Sequence, residues 1–254
     1  MFTSRTRGPD TERLEAFSDG VFAFALTLLV VSLEVPNTFA ELLHTVQGFP
    51  AFAASFAILV WIWVEHYRFF RTYRLVDGWI IALNSLLLFV ILFYVYPLKF
   101  MFSFLSRLYL GIGGTDGAPY DLRFEHAPLL LLIYGAGFVA VFAVLALMHW
   151  RVLRVAPRIG LDAQLRRRAA LSLGSHLISV TIGVLSLLLA VTLPDRVVGL
   201  AGLMYALLGP AHALYGRWSA RRLAVPVAAA ESAEDYPEPL APAEPASPSV
   251  DDPS

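Results

Sequence analysis

The chain has 254 residues, 57% of them hydrophobic and only 15% charged, and its mean hydropathy is +0.65. That is more apolar surface than a soluble domain of this size can bury, which excludes an ordinary globular enzyme. The formal net charge of −1 conceals a basic body and an acidic end, since Pro226 to Ser254 hold seven acids and no Lys or Arg, and the absence of cysteine excludes disulfide scaffolds, thiolate metal centres and thiol catalysis.

A bilayer core of about 30 Å needs roughly 20 apolar residues per crossing. Six segments qualify, near 17–35, 49–66, 79–102, 127–150, 169–193 and 197–215, which predicts an all-α integral membrane protein with a six-helix unit over 13–225. Residues 1–12 read as a short N-terminal lead. The first segment opens with Phe17-Ser18-Asp19 and lacks a small-residue cleavage site, so it reads as a retained helix and not as a signal peptide. The second is short, with Trp61, Trp63 and Tyr67 placed as interfacial aromatics at its end. Between the third and fourth, Ser103 to His126 contains Gly-Ile-Gly-Gly-Thr-Asp-Gly and reads as a flexible outer cap. After the sixth, the Pro-, Ala- and Glu-rich residues 226–254 cannot offset their ordering entropy by burial and are expected to be disordered.

Six crossings put both termini on one side. Of the 19 Lys and Arg residues, 15 fall on that side and 4 on the other, which places both termini in the cytoplasm and the protein in the cell membrane.

Polar groups within apolar spans are expensive unless paired. The densest cluster, Arg13 to Gly20, sets Ser18 and Asp19 at the start of the first span, and Asp19 requires a partner. His66 or Arg68, where the second span returns to the same face, are candidates to neutralise it, and Trp63, His66 and Asn84 read as a structural network. Arg71 and Arg74 read as contacts to anionic headgroups. Along the first helix Gly20, Phe24, Thr27, Val31 and Glu34 share one face with Leu28 beside them, a pattern that ordinary helix packing also produces. His66, His149, His176 and His212 raise the alternative of a membrane haem, but two of them lie at the interface and no spacing pairs the others. No nucleotide-binding, nucleophile-elbow or metalloprotease motif is present, and nothing points to catalysis, a resident metal or nucleic acid.

The run Arg13-x-x-x-Phe17-Ser18-Asp19-Gly20-Val21-Phe22-Ala23-Phe24-Ala25-Leu26-Thr27-Leu28-Leu29-Val30 resembles the signature first helix of a potassium-channel family of bacteria and of animal endosomes and lysosomes. Trp63-x-x-His66-x-Arg68-x-Phe70 resembles that family's second-helix ending, and Asn84 followed by an apolar run to Pro97 resembles its third helix. The resemblance implies a homotetramer in which copies of the first helix surround a conduction path for K⁺, with no cofactor. It implies that Arg13, Phe17, Ser18, Asp19, Trp63, His66, Arg68 and Asn84 form a structural network behind the pore. It carries the family's apolar layers onto Phe24, Leu28 and Val31, and its hydroxyl onto Thr27. Phe24 stands where the family commonly has Ile. An apolar constriction implies weaker K⁺ over Na⁺ discrimination than a carbonyl filter achieves. A proton-conducting or secondary transporter is the alternative, although Asp19 and Glu34 lie near opposite ends of one helix and leave the midplane nearly free of charge.

Overall fold

In the computed structural model, residues 9–31, 36–110, 127–194 and 199–234 are described, and all of their regular structure is helical. The first helix, α1 (Pro9–Val31), begins with proline and has Asp10 and Glu12 in its first turn, where acids complement the exposed N–H groups. It therefore starts eight residues before the expected position, and 32–35, including Glu34, lie outside the described residues. A second, unexpected helix follows. The N–H of Glu41 donates to Thr38 Oγ1 (3.2 Å) while the N–H of Thr38 donates to Glu41 Oε2 (3.3 Å), a reciprocal cap that launches α2 (Phe39–Gln47).

The helix α3 (Phe49–Tyr73) runs seven residues beyond its expected end, so the second crossing is not short. It stops where Arg74 takes a left-handed conformation (φ 49°) and its N–H returns to the carbonyl of Phe70. Asp77 then caps α4 (Gly78–Leu110) by accepting from the N–H of Ile80 at 2.9 Å. That helix passes through Pro97 and carries Ser103–Leu110, part of the expected flexible cap, as helical backbone. The remainder of that cap, 111–126, lies outside the described residues. After α5 (Ala127–Val155), Asp162 caps α6 (Ala163–Thr192) through the N–H of Leu165 at 2.7 Å.

Five of these helices, α1, α3, α4, α5 and α6, are long and apolar enough to cross a membrane. The segment expected near 197–215 is broken into α7 (Gly199–Leu203), a tight 3₁₀ turn at Met204–Leu207 and α8 (Leu208–Glu234), which continues nine residues into the segment expected to be disordered. Residues 235–254 lie outside the described residues.

One apolar core unites the bundle, with Phe22, Ala25 and Leu29 of α1 meeting Leu59, Ile62 and Phe70 of α3, Ile80, Leu87 and Ile91 of α4, and Leu145 and Met148 of α5. Consecutive long helices run antiparallel. Asp77 at the start of α4 meets Arg151 near the end of α5, and the Tyr215 hydroxyl of α8 donates to the carbonyl of Leu171 near the start of α6 at 2.9 Å. Close approach depends on Gly137, where a Cβ would sit 2.3 Å from the Tyr94 ring.

Candidate conduction helix and its polar brace

The two faces of α1 have opposite fates. Ser18, Phe22, Ala25 and Leu29 are buried against α3 and α4, while Phe24 (55% exposed), Val31 (72% exposed) and Thr27 point away from the bundle. Phe17, Phe24 and Val31 are spaced by seven residues and form one stripe, as 3.6 residues per turn requires. Leu28 sits at its edge, half-buried and packed against the core. The Thr27 hydroxyl donates to the carbonyl of Ala23 at 2.9 Å, so its hydrogen is engaged within the helix and its lone pairs remain on the outward face.

Behind that face lies a chain of hydrogen bonds whose direction is determined. Ser18 Oγ donates to the carbonyl of Leu14 at 2.8 Å and so accepts from Asn84 Nδ2 at 2.9 Å. Asn84 must then present Oδ1 to His66, whose Nε2 donates at 2.8 Å. Ser18 and Asn84 are fully buried and His66 is 1% exposed. The Phe22 and Phe70 rings pack against the imidazole with centroids 5.5 and 4.8 Å away. One turn away on α3, Trp63 Nε1 donates to Asp19 Oδ1 at 2.8 Å.

Five of the eight expected network residues, Ser18, Asp19, Trp63, His66 and Asn84, therefore meet. Neither His66 nor Arg68 neutralises Asp19: its hydrogen-bond partner is the neutral indole, while Arg68 bonds Glu65 at 3.3 Å. Arg13 and Phe17 are not brought into the brace. They are exposed and line a surface cavity of about 490 Å³ with Asp10, Leu14, Val76, Asp77, Gly78 and Ile81. Arg13 and Phe17 are four positions apart on one face, but Ser18 and Asp19 turn onto different faces of the same helix, about 100° apart per residue.

Three further histidines, His149, His176 and His212, form a packed seam. His149 bonds the carbonyl of Leu145 through Nδ1 at 2.9 Å, and its ring lies against that of His176 with centroids 4.9 Å apart. His212 lies between Ser175 and Ser179, which bond its two ring nitrogens at 3.1 and 2.9 Å. Rings in direct contact leave no space for a porphyrin between His149 and His176, and the haem alternative finds no support in this geometry. Among the described residues no group of three or more His, Asp or Glu is arranged to hold a metal.

One polar element escaped sequence reasoning. Arg151 Nε and Nη2 both reach Asp77 Oδ2, at 2.9 and 2.8 Å. Burial alone would raise the Asp77 pKa, but the N–H of Ile80 and the Arg151 guanidinium outweigh it and hold the carboxyl below its ordinary range. An acid immediately before Gly78-Trp79 and a new apolar run was the available signal.

Comparison with known proteins places this geometry. The family described as "Endosomal/lysosomal potassium channel TMEM175" matches residues 13–94, which include every residue of the brace. A protein named "Potassium channel" from Marivirga tractuosa is 37% identical over 223 residues, covering 85% of this chain and 90% of the relative. The chain belongs to the TMEM175 potassium-channel family. A TMEM175 structure, the crystal structure of the potassium channel MtTMEM175 T38A variant in complex with a nanobody–MBP fusion, superposes with a TM-score of 0.75 at 34% identity. The match covers 87% of this chain and 97% of that one. A potassium channel from Streptomyces collinus is 27% identical over 77% of this chain and 91% of its own length. TMEM175 proteins are channels and not enzymes, and the fold here is the TMEM175 fold.

Proposed function

We propose that this chain conducts K⁺ passively across the cell membrane as a homo-oligomer, most simply a tetramer, with copies of α1 around the conduction path. The observation that carries this reading is the asymmetry of α1: one face is locked to its own bundle by hydrogen bonds and core packing, and the other leaves Phe24, Thr27 and Val31 exposed among the described residues. One copy of a helix cannot enclose an axis, so the free face needs further copies. In this arrangement Phe24 forms the narrow apolar layer, Thr27 supplies oxygen lone pairs, Leu28 stands at the edge of the path and Val31 lines its outer part. The permeant ion is K⁺, and no cofactor enters. The helix α7, the turn at Met204–Leu207 and α8 together supply a sixth crossing, and both termini are cytoplasmic, in keeping with the distribution of arginine.

The test is ion flux into proteoliposomes under a K⁺ gradient and then a matched Na⁺ gradient, for wild type and Phe24→Ala. K⁺ flux should exceed Na⁺ flux, and the smaller side chain should enlarge current and reduce that discrimination. Unchanged current and reversal potential in Phe24→Ala would remove this residue from the path.

A further inference from the structure

The cytoplasmic-side ends of the bundle repeat one device. The three helices that run toward that face, α3, α5 and α8, each carry an aromatic residue followed four positions later by arginine: Tyr67 and Arg71, Trp150 and Arg154, Trp218 and Arg222. In each pair the guanidinium lies over the ring, at 5.6, 4.6 and 5.0 Å from the centroid respectively. Trp150 and Trp218 are 45% and 47% exposed and their arginines are exposed, so these stacks face out of the bundle.

Arginines of the same face divide by what they touch. Arg151 is bound to Asp77 and Arg68 to Glu65. Arg154 and Arg222 have no carboxylate partner among the described residues. A guanidinium seated over an indole leaves N–H groups on its edge to bond elsewhere, and its planar fork suits two oxygens of a phosphate. An indole at the ends of membrane helices sits at headgroup depth.

The geometry points to Arg154 and Arg222, each on its tryptophan, as two separate clamps for the phosphate of anionic glycerophospholipids in the leaflet that faces the arginine-rich side. Arg71, tied to the Tyr67 hydroxyl as well as its ring, is a third and weaker position. The clamps lie on α5 and α8 and do not depend on which helix lines the conduction path.

Native mass spectrometry of the purified full chain, titrated with phosphatidylglycerol and separately with phosphatidylcholine, tests the assignment. Each arginine near an anionic surface contributes about a five-fold preference. Wild type should therefore retain phosphatidylglycerol over phosphatidylcholine, and Arg154→Gln and Arg222→Gln should each lower that ratio about five-fold. Both sites are exposed, and an unchanged circular dichroism spectrum checks the fold. Arg154→Lys should restore little, because an ammonium keeps the charge but loses the stacked planar fork. An unchanged lipid ratio in the double Gln variant overturns the proposal, and so does full rescue by lysine. Loss of the oligomer with lipid retention intact would assign these arginines to a neighbouring copy. Lipid preference that emerges only when residues 235–254 are removed would assign them to the acidic tail.

Discussion

Replacing Asn84 by leucine tests the brace at its centre. Leucine has the same number and branching of side-chain heavy atoms as asparagine, with bulkier methyl ends, so the change deletes hydrogen bonds without opening a cavity at a fully buried position. Two bonds disappear, from His66 Nε2 to Asn84 Oδ1 and from Asn84 Nδ2 to Ser18 Oγ. Side-chain hydrogen bonds between membrane helices are worth about 0.6 kcal/mol on average and up to about 1.7, giving roughly 1–3 kcal/mol for the pair. The upper end applies here. His66 Nδ1 has no hydrogen-bond partner, so losing Asn84 leaves the buried imidazole with none, and no change of tautomer repairs it. Ser18 keeps its bond to Leu14 and suffers less. Unfolding free energy in mixed micelles should fall by about 3 kcal/mol for Asn84→Leu and by about 1 kcal/mol for Ser18→Ala. The double variant should lose about 1 kcal/mol less than the sum, because the two residues share one bond. The assembled fraction should drop while the K⁺/Na⁺ reversal potential of surviving channels stays at the wild-type value. An Asn84→Leu protein as stable as wild type would refute the brace, and strict additivity in the double variant would refute the coupling.

Thr27→Val removes the outward lone pairs while cutting only a bond within its own helix; K⁺/Na⁺ reversal potential should shift with thermal stability unchanged. Gly137→Ala places a methyl 2.3 Å from the Tyr94 ring, whose hydroxyl is anchored to the carbonyl of Tyr134; overpacking should cost about 1–3 kcal/mol in the same unfolding assay. Asp77→Asn preserves the helix cap but abolishes the ion pair to Arg151. Because the folded carboxyl titrates below its ordinary value of 3.8, the pair's contribution is fully present above about pH 4 and is lost as pH falls through the depressed folded value. The melting difference from wild type should be constant at neutral pH and close on acidification below that point.

The membrane class and the positions of the first five crossings were legible because a bilayer imposes length and hydropathy on each helix separately. Rotation was harder to read. Asp19 announced its need for a partner, yet charge alone nominated His66 and Arg68, whereas the indole N–H of Trp63 was the donor that α3 turned toward it. Arg13 and Phe17 belong to the same sequence motif as Ser18 and Asp19 but leave the helix in other directions. The cap of α2 is present in the sequence as Thr38-x-x-Glu41, but a nine-residue helix is too short to register as hydropathy. The segment near 197–215 had the apolar composition of a span, and from Gly199 it is helical with one tighter 3₁₀ turn at Met204–Leu207 that hydropathy does not register.

The brace also divides α1 mechanically. Below Gly20, its registry with α3 and α4 is keyed by hydrogen bonds at Ser18 and Asp19 whose donors and acceptors cannot be exchanged, so twisting this half about its long axis breaks them together. Above Gly20, Phe22, Ala25 and Leu29 are held by apolar core packing, which has no donor–acceptor direction. Among the described residues, no side chain lies within 4 Å of where a Cβ of Gly20 would point. The inner half of α1 is thus keyed against rotation by directional hydrogen bonds, while the outer half, which carries Phe24, Thr27 and Val31, is seated by apolar packing.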